Sequence, residues 1–260
     1  FFALAPPEDV WKEWERTMKI QLMVFLALKL MNTPERLKLL TWAIVLSLGF
    51  FGAKGGLFTI LTGGKYLVTG PAGSFIEDNN AIGLALVMVI PLMRYLQVDS
   101  ANKWIRRGLL VGMILTGFGI VGTHSRGALV GVVAMVLFML AKSPKKAPLA
   151  LALVVVIPLI IAFMPQKWSE RMGSIATYEQ DASAMGRLNS WQFATNLALD
   201  NPLGGGFQTF TQELFYRYAP RPGSFHDAHS IYFEVLGEHG FGGLFLFLLF
   251  WGLVWLKGKK

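Results

Sequence analysis

The chain has 260 residues, 53% hydrophobic and 15% charged, where a soluble domain carries about a quarter charged residues. That deficit, with long uncharged runs, excludes an ordinary globular domain and indicates a polytopic membrane protein, while the lack of any cysteine excludes disulfides, thiolate nucleophiles and Cys-ligated metals. The net charge of +8 does not argue for nucleic acid, because Lys and Arg in a membrane protein report topology first; the lipid bilayer is the expected partner.

Phe1 to Arg16 reads as a polar lead whose Trp11 and Trp14 suit an interfacial helix. Met18 to Met31 is apolar but short for a span of about 20 residues. Leu37 to Phe51, running into Gly52-Ala-Lys-Gly-Gly56, is a fuller span, and residues 52–80 read as a Gly-rich connection. Ala81 to Leu96 spans with Pro91 tolerated inside it. Ile105 to Gly122 and Ala128 to Ala141 form a tight pair around Thr123-His-Ser-Arg-Gly127, and Pro148 to Met164 spans again. A polar stretch, 165–228, precedes a last apolar run, Phe241 to Leu256. The expected fold is all-α, with about seven transmembrane helices and one long outward-facing loop carrying short amphipathic helices. Residues 1–76 form the lead and first spans, and 77–260 the core with its outer loop 165–228. The opening Phe1-Phe2, without Met, suggests a piece of something longer.

Orientation follows from the basic residues. Alternate turns hold Lys29, Arg36 and Lys38, then Arg94, Lys103, Arg106 and Arg107, then Lys142, Lys145 and Lys146, then Lys257, Lys259 and Lys260. The opposite turns hold Lys54, Lys65 and Arg126, so thirteen bases face three, and the first set is expected in the cytoplasm. The long loop, Arg126 and His229 then face outward.

Arg126 sits at the outer start of a span, beside the positive end of its own helix, a placement that costs about 0.3–1 kcal/mol. A guanidinium there suits an anion, because its planar fork grips phosphate oxygens in a bidentate manner; the plainer use is snorkelling to headgroups. Ser125 can cap that helix. In the long loop, Leu188, Trp191 and Ala194/Thr195 share a face, which predicts a short amphipathic helix on the membrane surface with Arg187 at its start. Gly204, Gly205 and Gly206 lack the GxGxxG spacing of a dinucleotide site. They form either a tight turn against a sugar or diphosphate, or simply a loop. The loop holds five bases and six acids, so individual arginines matter rather than a basic patch, and Arg221 is a weaker third candidate.

His229 falls in the first turn of the last helix, with Tyr232, Phe233 and Leu236 on its side and Glu238 roughly opposite. An uncharged imidazole there can accept a proton near pH 7; the plainer reading is an interfacial polar residue. Glu238 is then structural rather than a partner for His229. Asp78, in Glu77-Asp-Asn-Asn80, reads as a helix cap and is the second choice of base. His226, Asp227 and His229 lack the further close ligands that a metal needs, so neither metal nor cofactor is expected.

Ser125-Arg-Gly127, Gly186-Arg-Leu-x-x-Trp191, Pro202-Leu-Gly-Gly-Gly-Phe207 and His229-Ser-x-Tyr-x-x-x-Leu-x-Glu-x-Gly240, in that order, resemble the bacterial O-antigen ligase and O-antigen polymerase superfamily. The Glu77–Asn80 stretch running into a Pro-containing span is similar to its branch of O-glycosylation ligases associated with exosortase systems. The resemblance covers about Glu77 to Leu256 and implies further N-terminal spans outside this sequence. It matches Arg126, Arg187 and His229 to the family's functional positions. The implied reaction moves a glycan from a polyprenyl diphosphate, undecaprenyl diphosphate in bacteria, to a hydroxyl of a glycolipid, protein or polysaccharide acceptor. It takes place at the outer side of the inner membrane, as one inverting displacement in which arginines make a metal unnecessary. A polymerase of lipid-linked repeat units is the nearest alternative. A transporter or flippase of lipid-linked sugars is the other, and it predicts charged residues at mid-bilayer between broken helices.

Overall fold

The structure is a computed structural model and describes residues 3–142, 154, 158, 162–173 and 182–258. Helices are the regular elements among the described residues: α1 (Pro7–Leu30), α2 (Pro34–Thr62), α3 (Asn79–Asp99), α4 (Lys103–Gly122), α5 (Arg126–Lys142), α6 (Gln166–Gly173), α7 (Ala182–Asp200), α8 (Gln212–Tyr218) and α9 (Ile231–Gly258). They fall into two compact units, Leu30–Ala176 and Phe1–Lys29 with Thr177–Lys260.

In the first unit, short polar side chains start the helices. Thr33 accepts from the Arg36 N–H before Pro34 opens α2, Asp78 accepts from Asn80 and Ala81 at α3, and Asn102 accepts from Trp104 at α4. Each satisfies N–H groups that a helix start leaves unpaired. Two apolar clusters hold the unit together, one around Val45, Val89, Met93 and Leu109, the other around Ile82, Leu86, Ile120 and Ala128.

The expected Gly-rich connection from residue 52 is replaced over its first part by helix, since α2 continues to Thr62. Its glycines serve packing. A Cβ on Gly56 would strike the Leu115 carbonyl, one on Gly119 would crowd the Gly52 carbonyl, and one on Gly52 would meet Thr116. Gly52 and Gly56, four residues apart, let α2 and α4 approach backbone to backbone, as small residues do between membrane helices.

The second unit packs around Phe193, Leu197, Phe215 and Tyr218, with the Phe193 and Phe215 rings stacked at 4.2 Å. The Tyr218 hydroxyl donates to Asp200 at 2.7 Å, so α7 and α8 are tied at both an apolar and a polar point. The amphipathic helix expected on the membrane surface is instead this packed α7. Its buried stripe is Gly186, Asn189, Ser190, Phe193, Ala194, Leu197 and Ala198, and Leu188 and Trp191 stand at its margin.

Four helices among the described residues are long and apolar enough to cross a membrane: α2, α3, α4 and α9. The expected span Met18–Met31 falls almost wholly in α1, which is not among these four. The part of α1 up to Lys19 carries the ion pairs Lys12–Asp9, Arg16–Glu13 and Lys19–Glu15. The expected span 128–141 falls in α5, which is described over Arg126–Lys142. The expected span 148–164 lies largely outside the described residues.

Candidate functional site

One face of α7 grips the loop that leads to His229. The Asn189 amide donates to the carbonyls of Arg221 and Ser224, both at 3.0 Å, and accepts from the Arg221 N–H at 2.9 Å. Ser190 donates to the His226 carbonyl at 2.8 Å. The Trp191 indole donates to the Ala228 carbonyl at 2.9 Å while its ring stacks on Phe233 at 4.9 Å and 6°. Gly186 abuts the His226 ring so closely that a Cβ would meet it. Buried polar groups must find partners, and here Asn189 and Ser190, both buried, find them in loop backbone.

His229 is exposed and has φ +46°, a left-handed backbone uncommon outside glycine and costing about 1–3 kcal/mol. It lies just before the helix rather than in its first turn. The Ser230 carbonyl accepts the first helical N–H, from Glu234, so Ser230 occupies the cap and α9 begins at Ile231. His229 therefore does not share a helical face with Tyr232, Phe233 and Leu236, as its expected place in the first turn would require. Arg187, one helical turn before Trp191, is half-buried, and its Nε meets no hydrogen-bond partner among the described residues. A buried guanidinium nitrogen without a partner costs free energy that a ligand's oxygen can recover. The Arg221 side chain is exposed on the gripped loop.

The glycine triplet has a structural partner. α9 breaks at Gly240, with φ +63° and ψ −164°. The break removes the helical partners of the Gly237 and Glu238 carbonyls. These accept instead from Gly205 N–H at 2.8 Å and Gly206 N–H at 2.9 Å, while Phe241 N–H donates to the Pro202 carbonyl at 3.1 Å. Gly204 N–H donates to Asn201. All three glycine N–H groups are therefore engaged with protein, which decides for a docking loop over a diphosphate cradle. Glu238 is structural, as the sequence suggested: its Oε1 accepts from the Gln208 N–H at 3.0 Å.

In the other unit, Arg126 is the first residue of α5 and half-buried. Ser125 caps the helix by accepting from the Ala128 N–H at 3.1 Å and donates to Asn80 at 2.8 Å. Asn79 donates to the Thr123 carbonyl at 2.8 Å. The Asp78-Asn-Asn80 stretch thus both starts α3 and braces the turn that carries Arg126. Asp78, exposed, uses one carboxylate oxygen on its own helix N–H groups. His124, with φ +51°, contacts the Gly64 carbonyl through Nε2 at 3.0 Å. Burial holds its imidazole below the usual histidine range, and Arg171 adds to this, whereas the Gly64 contact works the other way.

Arg187, Arg221 and His229 thus belong to one unit, and Arg126 and Asp78 to the other. Sequence reasoning missed Asn189, Ser190 and Trp191 as the residues that hold the His229 loop. The signal was an Asn-Ser pair in the stripe shared with Phe193 and Leu197. Among the described residues no three His, Asp or Glu side chains converge to hold a metal ion.

A family model described as O-antigen ligase matches residues 111–248, more than half of the 260 residues, and takes in Arg126, Arg187, Arg221 and His229. A second, described as a family of unknown function (DUF5935), matches residues 2–101 and takes in Asp78. Neither a curated protein nor a solved structure matches the chain.

Proposed function

We propose that this chain, which belongs to the O-antigen ligase family, transfers a glycan from a polyprenyl diphosphate to an acceptor hydroxyl at the outer face of the bacterial inner membrane. An imidazole nitrogen of His229 takes the hydroxyl proton as its oxygen attacks the anomeric carbon. The bond from that carbon to the diphosphate breaks, and its electron pair leaves with the diphosphate oxygen. Arg187 and Arg126 meet the growing charge with bidentate hydrogen bonds, and Arg221 is a third cation for the same role. Should His229 not serve as base, Asp78 is the carboxylate to test in its place. A single displacement inverts the anomeric centre, and fixed guanidiniums supply the charge that a metal would otherwise bring. The acceptor is a glycolipid, protein or polysaccharide, and the exosortase-associated O-glycosylation branch remains our reading of Glu77–Asn80.

The observation that supports this reading is in α7. Arg187, whose buried Nε has no hydrogen-bond partner among the described residues, stands one turn before Trp191, whose indole holds the residue next to His229. A transporter of lipid-linked sugars would place charge within its spans. The break in α9 instead lies at the polar end of the uncharged run 241–256.

The test is a reconstituted assay with purified lipid-linked glycan, a set of acceptors, and chelator present or absent. Ligation yields one product carrying the preformed glycan, with inverted anomeric configuration, whereas a ladder of lengths reports polymerisation. Loss of transfer on chelation would remove the metal-free mechanism.

A further inference from the structure

Two adjoining cavities open within the unit that carries His229. One, of about 440 Å³, is lined by Trp11, Trp14, Phe207, Glu238 and His239 among others. The second, of about 390 Å³, is lined by Glu13, Arg16, Asp227 and Glu234, and shares Phe207 and Glu238 with the first. Each is within the size range of small-molecule sites. Trp11 and Trp14 meet edge to face at 5.3 Å, as do Phe207 and His239, so ring faces and edges line one half.

The two halves offer different chemistry. Four carboxylates and one guanidinium line the second, and Arg16 already pairs with Glu13 at 3.2 Å. Such a lining repels a phosphate or an acidic sugar and accepts hydrogen bonds from hydroxyl groups, since carboxylates act purely as acceptors. An alkyl chain would cover these carboxylates and offer no donor to their remaining lone pairs, above all on Glu234, which is costly. No three of them converge on one ion among the described residues. A molecule with hydroxyls on its rim and apolar C–H faces fits both halves, and a saccharide has both. Asp227, which lines the second half, precedes His229 by two residues in the loop gripped by α7.

We infer that this divided cavity seats a non-acidic saccharide, neutral or amino, on the acceptor side of the transfer, with its hydroxyl rim against Glu13, Asp227 and Glu234 and a ring face against Trp14 and Phe207. The inference rests on the glycan-transfer reading above, and it assigns the acceptor a sugar.

Binding tests it without transfer. The full chain in lipid nanodiscs is applied to an array of neutral, amino and acidic saccharides, as wild type and as His229→Ala, Glu234→Gln and Trp14→Ala. Wild type and His229→Ala retain the same neutral or amino members and pass over the acidic ones. Glu234→Gln weakens retention by about tenfold, as the loss of one charge-assisted hydrogen bond does, and Trp14→Ala, on a different helix, weakens it by about tenfold through the loss of an apolar ring face. Retention of acidic saccharides in preference, indifference to both variants, or no retained saccharide from a preparation active in transfer would overturn the inference. If saccharides bind as expected but His229→Ala still transfers glycan, the cavity stands and the assigned base falls.

Discussion

The indole N–H of Trp191 donates to the carbonyl of Ala228 at 2.9 Å, the residue immediately before His229. That bond fixes the last peptide of the loop before its backbone turns left-handed. Trp191→Phe keeps a ring for Phe233 and removes the donor, so the Ala228 carbonyl loses a partner worth about 0.5–1.5 kcal/mol. The expected result is a fall in kcat of about 2- to 13-fold at that energy, with KM for the lipid-linked donor little changed. Steady-state kinetics of the reconstituted variant check it.

Asn189 holds Arg221 by both its N–H and its carbonyl, and Ser224 by its carbonyl. Asn189→Leu takes the protein partner from the Arg221 N–H and the Ser224 carbonyl, at about 1–3 kcal/mol for each that stays buried, while the Arg221 carbonyl keeps the Ser224 N–H. Amide hydrogen exchange at Arg221 should accelerate accordingly, while α8 keeps its protection through Phe215 and Tyr218. Unchanged exchange would show that the loop is held elsewhere.

Gly240 combines positive φ with a Cβ direction that runs into the Pro202 carbonyl. Gly240→Ala therefore adds strain of about 1–3 kcal/mol and pushes the glycine loop off the break. The Gly205 and Gly206 amides, which donate to Gly237 and Glu238, should then exchange faster than in the wild type. Their exchange rates in nanodiscs read the effect directly.

His124 gives a pH dependence. Burial lowers its pKa from 6.5, so the folded chain binds this proton less readily than the unfolded one. Its contribution to stability is full above about 6.5 and is lost as pH falls from there towards the lower folded value. Thermal stability should decline over that window, and His124→Gln, which keeps an N–H donor for the Gly64 carbonyl, should remove this part of the decline. A decline of equal size in the variant would assign it to other groups.

Much of this was legible in the sequence. The apolar runs announced a helical membrane protein, and the caps at Asp78 and Ser125 were readable because short polar side chains before apolar runs have one common use. Gly52 and Gly56 misled because glycine marks turns in water, whereas between membrane helices it marks close approach. The buried face of α7 differs from the expected Leu188, Trp191 and Ala194/Thr195 face because its polar members are paired. Its Asn189 and Ser190 look solvent-facing, yet their partners are loop carbonyls more than 30 residues away. His229 reads as a first-turn residue in the sequence, but Ser230 takes the cap position and leaves His229 just outside the helix. The pairing of the glycine triplet with the break at Gly240 joins segments over 30 residues apart, and no local pattern encodes it.

The central claim is that His229 takes the acceptor proton. The direct measurement is glycan transfer by His229→Ala in nanodiscs, with membrane insertion and lipid-linked donor binding measured on the same sample. The account gives a variant that inserts and binds donor as the wild type does, yet transfers at least about 10²-fold more slowly, the lower range for a lost general base. Transfer at the wild-type rate from a well-inserted, donor-binding variant would contradict it.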